Sequence, residues 1–546
     1  MRESAALDWL ADKWKLPEAA YEPVRRLMKA ESGGSTACAL EDEVPDWGSA
    51  AAGEDSPLVI VRHEGKTYLQ SRRLFETEQD IANRIRALAA ISPSSKDFSP
   101  QLKKLFPDAV EGDLQVEAAR TAATRHLSLI TGGPGTGKTY VLARILALLA
   151  GPEMPAGSIR LAAPTGKAAD RMKKAVAESL EGLPEGFQKN VDLLGRIANS
   201  SSTIHTLLGY NPDTGRCRFG KDNPLPCRAL ILDECSMVDV HLWRALLQAL
   251  PADSRLVLLG DPNQLQSVGQ GNVFFDMACT TAISGSSLHS AHVHLTEARR
   301  FKDSPGIVAL AQALENSNPE AAAELLGKSR EKKPREGIAW IESTGGALPC
   351  ASFPPSVLDA LESVATACSP QAALSALNRV CILTAQREFF VGSKAISIEV
   401  EKYFSLRKNA RNHPVIINRN DPETGLRNGA VGVICRGVDN ERKAFFPTGD
   451  GTLGEFSLSQ LPDHTPAWAI TIHRSQGSEY DDVLVILPRM ESPMATRELL
   501  YTAITRARKN VYIAGDVETV KKAVVTSSAR CTMLASFLHP NTQVSG

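Results

Sequence analysis

Leu127–Thr139 reads LSLITGGPGTGKT, and the fold follows from this stretch. Leu127–Ile130 is a short, almost wholly apolar run, which predicts a buried strand. Gly132-Gly133-Pro134-Gly135-Thr136-Gly137-Lys138-Thr139 then fits the spacing G-x-x-x-x-G-K-[ST], and Tyr140–Ala150 carries a helical pattern. A strand in, a glycine turn and a helix out is the context this spacing requires. The glycines let successive backbone N–H groups turn inward, and together with the helix N-terminus they cradle phosphates. In such a loop Lys138 pairs with the β/γ oxygens of ATP and Thr139 ligates Mg²⁺. The bland alternative, a glycine turn with a solvated lysine, does not explain the flanking strand and helix.

Outward from this loop the same pattern repeats. From Asp113 onward helical runs alternate with apolar strands at Ile159–Ala163, Ala229–Leu232, Leu256–Leu259, Val380–Thr384, Val483–Leu487 and Val511–Ala514. Strands of this kind are buried on both faces, so the fold class is α/β, with parallel sheets covered by helices. The sheet signal fades between about Ser329 and Leu374 and then resumes, which predicts two α/β units in series. Two insertions interrupt them. Gly209–Arg228 is turn-rich and predicts a β-hairpin, and Asn412–Pro466 alternates polar and apolar residues as a small all-β module does. Ahead of the units, Ala5–Trp14 and Pro23–Ala30 read as helical and Leu58–Val61 as a strand. Leu74–Ala90 is an amphipathic helix with Phe75, Ile81, Ile85 and Leu88 on one stripe, and Ile91–Asp113 is a linker with one short helix.

Composition agrees with this reading. The 546 residues are 43% hydrophobic and 23% charged, which excludes wholesale disorder. At ~150 residues per domain, three or four domains are expected. Lys and Arg number 61 against 62 Asp and Glu, so no basic coat surrounds the chain, although a local basic groove is allowed. The ten cysteines contain no C-x-x-C pair and predict free thiols without a zinc or iron–sulfur site. No apolar run approaches the ~18 residues that span a bilayer. Met1–Leu16 carries Arg2, Glu3, Asp8, Asp12, Lys13 and Lys15, unlike a signal peptide. A soluble cytoplasmic protein is expected.

Two further strand ends carry chemistry. Leu230-Ile231-Leu232-Asp233-Glu234 brings two carboxylates to the C-terminal end of a strand, where open α/β sheets bind ligands. Asp233 is expected to hold Mg²⁺ and Glu234 to polarise the attacking water. Gly260-Asp261-Pro262-Asn263-Gln264 repeats the arrangement, and the neutral amide of Gln264 is suited to sense both γ-phosphate and water. Arginines placed across a cleft stabilise the transferring phosphoryl group. The candidates are Arg300, beside Arg299, and Arg506, near Arg508; residue chemistry alone does not separate the members of either pair.

The ordered set Gly132–Thr139, Ala163–Ala169, Thr203–His205, Asp233-Glu234, Gly260–Gln264, Arg300-Phe301, Thr471–Glu479 and Tyr501–Arg506 resembles superfamily 1 helicases of the RecD type. Eight motifs occur in order across about 400 residues. The wider chain, including Gly33–Leu40 and Tyr68–Ile85, looks like the α-subunit branch of that family, which belongs to the RecBCD exodeoxyribonuclease V. The stand-alone branch carries a larger N-terminus than the roughly 110 residues that precede the motor here. The resemblance implies two RecA-like P-loop NTPase domains in tandem, with nucleotide between them. It implies ATP-driven unwinding with 5′-to-3′ translocation on single-stranded DNA, and action at double-stranded DNA ends with RecB-like and RecC-like partners. It carries Lys138, Thr139, Asp233, Glu234, Gln264, Arg300, Gln476 and Arg506 over as nucleotide-site residues and Gln115 as an adenine contact. Arg387 matches a family position without a fixed role. The hairpin matches a strand-separating pin, and Asn412–Pro466 an SH3-like insertion. Expected domains are 1–110 for partner binding, 111–300 for the first motor unit with the pin at about 209–228, and 301–546 for the second with its insertion at about 412–466.

Translocation needs two grips on the strand. Pro164–Lys167 in the first unit and Thr471–Ser475 in the second offer hydroxyl, backbone and cationic groups to phosphates. The candidate DNA contacts are therefore Thr165, Lys167, Thr203, His205, Thr471, His473 and Ser475. Thr165 is equally readable as a helix cap, His205 as a packed core residue and His473 as a strut beside Gln476. Aromatic residues make up 5%, so phosphate contacts are expected to outweigh base stacking. No second cluster of metal-binding carboxylates stands out at a strand end, so DNA cleavage is expected in another subunit. Rival readings are a stand-alone or RNA-acting helicase and a binding module that uses ATP as a structural switch.

Overall fold

The computed structural model describes residues 9–40, 56–151, 154–184, 187, 191–283, 286, 288–297, 304–329, 334–343, 348–407, 410–436, 441–448, 452–488 and 492–539. Six strands form the first large sheet, in the order Ser202–Thr203, Ile159–Ala163, Ala229–Leu232, Arg255–Gly260, Leu127–Gly132, His292–Leu295, all parallel. Side chains alternate between its faces. Leu230, Leu232, Leu256 and Leu258 join the core on one side, and Ile231, Val257 and Leu259 the core on the other. Burial on both faces is why these strands read as continuous apolar runs.

The second large sheet has the order Ile338–Glu342, Ala507–Gly515, Tyr480–Ile486, Val380–Thr384, Ala469–Thr471, again all parallel. Ile338–Glu342 falls inside the stretch where the sequence signal fades. It is a five-residue edge strand that follows a left-handed Glu336-Gly337 turn and joins the sheet by pairing with Ala507–Gly515. His292–Leu295 escapes sequence reading for a related reason: histidines occupy alternate positions of an edge strand.

The insertion in the second unit is a five-stranded antiparallel sheet, ordered Leu453–Ser457, Arg442–Pro447, Val431–Arg436, His413–Ile417, His464–Pro466. Gly209–Arg228 reverses twice, through antiparallel bridges Asn211–Arg216 and Gly220–Asn223, so its hairpin character lies in two tight turns and not in a continuous ribbon. The N-terminal module pairs Cys38–Leu40, Lys66–Ser71 and Leu58–His63 antiparallel. Its helix Arg72–Ala90 buries Phe75, Ile81, Ile85 and Leu88 in the same core as Trp243 and Leu246 of the first unit and the C-terminal helix Leu534–Leu538. Phe75 and Phe537 meet edge-to-face at 5.5 Å. The amphipathic stripe is therefore consumed within the chain. The expected helix Ala5–Trp14 is described only from Trp9. Among the described residues no helix is long and apolar enough to cross a membrane.

Candidate functional site

The glycine loop leaves the wholly buried strand Leu127–Gly132 and enters the helix Lys138–Leu149. Gly137 sits at φ 90° as the residue before that helix, and a Cβ there would lie 2.3 Å from Gln115 Nε2. Only glycine satisfies both constraints. Gln115 Nε2 donates to Thr136 O at 2.9 Å, while Gln115 Oε1 is buried without a partner. Thr136 Oγ1 donates back to Gly133 O at 2.9 Å, which stiffens the turn formed by Gly133, Pro134, Gly135 and Thr136. Lys138 Nζ donates to Gly132 O at 2.5 Å and Gly133 O at 3.1 Å, so the ammonium lies over the loop it serves. Thr139 follows in the first turn, half-buried.

The neighbouring strand Ala229–Leu232 delivers Asp233 and Glu234. Asp233 Oδ1 accepts the Glu234 N–H at 2.8 Å, and Glu234 takes the left-handed conformation at φ 53°. A non-glycine residue held there signals strain imposed by its surroundings, which concentrates at functional sites. Burial and the adjacent Glu234 carboxylate raise the Asp233 pKa, against the pull of Lys138 and Arg171. One strand further, buried Asp261 accepts from Gln264 Nε2 at 3.2 Å and from the Tyr501 hydroxyl at 3.0 Å. Burial raises its pKa too, with Lys138 opposing.

Tyr501 belongs to the second unit, and several contacts tie the two units along one seam. A Cβ at Gly133 would come within 3.2 Å of the Tyr501 hydroxyl. Leu265 N donates to Thr502 Oγ1 at 2.8 Å and Gln476 Nε2 to Leu265 O at 3.1 Å. Arg506 is 2% exposed; Nε donates to Thr502 O at 3.1 Å and Nη1 to Ser478 O at 3.3 Å. Burial lowers its pKa, while Glu234, Glu479 and Asp261 favour its charge. Arg508 instead stands half-exposed, donating to Glu479 O at 3.0 Å. Tertiary placement thus separates two arginines that sequence could not. Arg299 and Arg300 lie outside the described residues. The loop lysine, three strand-end acids, Gln264, Gln476 and Arg506 consequently share one interface between two parallel sheets.

Comparison with known proteins decides the family. Residues 115–270 match the AAA domain family, and residues 466–514 the UvrD-like helicase C-terminal domain family. The RecBCD enzyme subunit RecD of Mycolicibacterium smegmatis is 33% identical over 97% of this chain and 95% of that protein. The chain belongs to the RecD family. The RecBCD enzyme subunit RecD of Haemophilus influenzae is 30% identical over 84% of this chain and 78% of that protein. The ATP-dependent RecD2 DNA helicase of Deinococcus radiodurans is 28% identical, covering 85% of this chain and 57% of that protein. Among solved structures, a Bacteroides Pif1 helicase in complex with ADP-AlF3 and ssDNA covers 77% of this chain and 92% of its own, at 17% identity and TM-score 0.39.

In this RecD family chain the candidate DNA residues divide. Thr165, two residues past the strand Ile159–Ala163, and Thr203 and Thr471, each at the end of a parallel strand, cap the helices that follow, accepting from Ala168 N, Thr206 N and Arg474 N at 3.2, 3.1 and 3.4 Å. A capping threonine accepts through its oxygen and retains its O–H for donation, so capping and phosphate contact are compatible. His205 is exposed, with its ring 5.3 Å from Tyr210, and is not a core histidine. His473 is recessed, its pKa lowered by burial and by Arg530. One expectation needs correction. Ser475 is fully buried and donates to Ile472 O at 2.7 Å within its own turn, so its hydroxyl faces no ligand surface. Lys167 is half-buried near Cys381 of the second sheet, where burial lowers its pKa.

Sequence reading also missed residues that the fold brings in. Arg171, on the helix Gly166–Glu181, pairs with Glu479 and lies 3.8 Å from Glu234 Oε1, bridging the first unit's acid to the second unit. Lys394 likewise lines a cleft with Thr465 and with Arg387, Arg474 and Thr471, three residues the motifs already single out. No spacing rule links residues so far apart in the chain.

Proposed function

We propose that this chain is an ATP-dependent 5′-to-3′ DNA helicase and translocase, the RecD-type α subunit of a RecBCD-like helicase–nuclease. It acts on single-stranded DNA and on double-stranded ends during break repair, in the cytoplasm, with RecB-like and RecC-like subunits. The observation that carries this reading is the seam, where the glycine loop and acids of one parallel sheet face Tyr501, Gln476 and Arg506 of another. The subunit branch is favoured over the stand-alone one because the RecD relatives of Mycolicibacterium smegmatis and Haemophilus influenzae are 33% and 30% identical and the RecD2 relative 28%.

The residues fit Mg²⁺ and ATP. Gln115 presents a buried oxygen without a partner, suited to an exocyclic amine, and the loop N–H groups with Lys138 suit phosphate oxygens. Thr139 and Asp233 are the hard-oxygen ligands for Mg²⁺. When bound, MgATP supplies the phosphoanhydride bond whose cleavage releases the free energy for movement. Glu234 orients water and accepts its proton; Gln264 senses the γ-phosphate; Arg506 stabilises negative charge that develops on the transferring group. Arg300 is proposed for the same role. Because these groups come from both sheets, loss of the γ-phosphate loosens the seam and changes the spacing of the Thr165 and Thr471 grips. The 209–228 insertion is proposed as the pin, 412–466 as the SH3-like module, and residues 1–110 as the partner-binding domain.

The test is Lys138→Gln. Expected is a loss of ATPase activity of about 10²-fold or more, and no unwinding of a 5′-tailed duplex, with single-stranded DNA binding retained. Normal unwinding by this variant refutes the assigned role of the loop. Equal hydrolysis by the wild-type chain with and without DNA refutes the motor reading.

A further inference from the structure

The turn between Val380–Thr384 and the helix Ser393–Ser405 holds two aromatic side chains away from the protein. Thr384 Oγ1 donates to Gln386 O at 2.8 Å, and Gly392 N, Ser393 N and Lys394 N donate to Phe389 O, Gln386 O and Arg387 O at 3.0, 3.0 and 3.1 Å. A Cβ at Gly392 would stand 2.0 Å from Glu388 O, so the chain folds back this tightly only because residue 392 is glycine. The result is a rigid reversal with Phe389 in the left-handed conformation at φ 72°, an unusual state for a bulky residue. Phe389 is 76% exposed and Phe390 81%. Neither ring stacks on another among the described residues.

Their surroundings are cationic. Arg387 and Lys394 flank the pair and line the cleft that Arg474, Thr465 and Thr471 complete. Glu388 sits 3.8 Å from Arg387 and 3.7 Å from Lys394, neutralising them only in part because all three are about half exposed. Arg427 of the antiparallel module reaches from this side toward the first unit, where a Cβ at Gly166 would meet its Nη1 at 2.9 Å. Two isolated rings among cations and hydroxyls do not make the contiguous apolar patch of a protein-docking surface. They suit a ligand that alternates flat apolar faces with anions, which is single-stranded nucleic acid.

We propose that Phe389 and Phe390 form a base-stacking wedge at the mouth of this cleft, where Arg387, Lys394 and Arg474 take the adjacent phosphates. The inference rests on the DNA-motor reading and adds to it a contact that is independent of charge. It also qualifies the expectation that phosphates outweigh stacking throughout.

Salt dependence separates the two kinds of contact. Binding of a fluorescent oligo-dT to the full chain is measured across a salt series for wild type, Phe389→Ala/Phe390→Ala, Phe389→Trp and Arg387→Ala. Removing the rings should weaken binding roughly tenfold for each stacked base lost, with an unchanged slope of log K against log salt. Arg387→Ala should instead flatten the slope by about 0.7. Phe389→Trp should bind at least as tightly as wild type. Thermal melting of the double variant checks that it is folded. Unaltered affinity in the folded double variant overturns the wedge while leaving the motor reading intact. So does a loss accompanied by a flatter slope, or a defect confined to assembly with partner subunits. A wild-type chain that fails to bind oligo-dT overturns both readings together.

Discussion

Replacing Arg506 by lysine tests the seam most directly. The change keeps a positive charge in a site that is 2% exposed but removes the planar fork. Two of the fork's donors are committed to the carbonyls of Thr502 and Ser478, while Glu234, Glu479 and Asp261 lie near enough to favour its charge. A lysine amine cannot hold both carbonyls and also reach into the site. Losing one charged hydrogen bond to a buried carbonyl costs about 2 kcal/mol of stability. An arginine that stabilises a transferring phosphoryl group contributes about 10³–10⁵ in rate. At ~1.4 kcal/mol per tenfold, the low end is a barrier increase of about 4 kcal/mol. The expected result is kcat down by about 10³-fold in a DNA-stimulated ATPase assay, with nucleotide affinity within a few fold of wild type and a folded protein by thermal melting. A folded Arg506→Lys protein with kcat within threefold of wild type refutes the seam as the catalytic interface. Parallel collapse of affinity and melting temperature would make Arg506 structural only.

Other consequences are as specific. Gly137→Ala forces a side chain into the left-handed region and onto Gln115 Nε2, so stability should fall by about 1–3 kcal/mol and ATP binding should weaken; unchanged melting and unchanged affinity would contradict the loop geometry. Glu78 is buried with Thr36, Gln70 and Met533 N donating to its carboxylate at 2.6, 2.8 and 3.2 Å, and burial pushes its pKa up to about 7 from the ordinary 4.5. A raised folded-state pKa gives stability that is complete below about pH 4.5 and is lost as pH rises to about 7, worth about 3 kcal/mol at ~1.4 kcal/mol per unit. Glu78→Gln removes that dependence, so its melting temperature should gain on wild type from pH 5 to about pH 7 and level off by pH 8. A constant difference across that range would mean the carboxylate titrates normally.

The catalytic loop was legible because its chemistry is local: glycines, lysine and threonine act within eight consecutive residues, and the flanking strand and helix announce themselves by apolar pattern. Asp233 and Glu234 were legible for the same reason, since a buried strand that ends in two acids needs no partner to be recognised. The apolar strands gave the two parallel sheets, except at the edge strands Ile338–Glu342 and His292–Leu295, the second of which carries histidines at alternate positions. The hydroxyl of Ser475 was misjudged because a motif's spacing does not say which side of a four-residue turn faces inward.

Sequence by itself therefore determined the α/β class, the phosphate loop, the strand-end acids and the family resemblance, all of which depend on residues close in the chain. Tertiary structure alone decided that Arg506 and not Arg508 enters the seam, that Arg171 bridges Glu234 to Glu479, and that Arg387, Lys394 and Arg474 share a cleft while Phe389 and Phe390 stand exposed. Those relations join positions tens to hundreds of residues apart. They exist only once two separately built sheets come together, because burial, charge and reach are properties of the assembled surface.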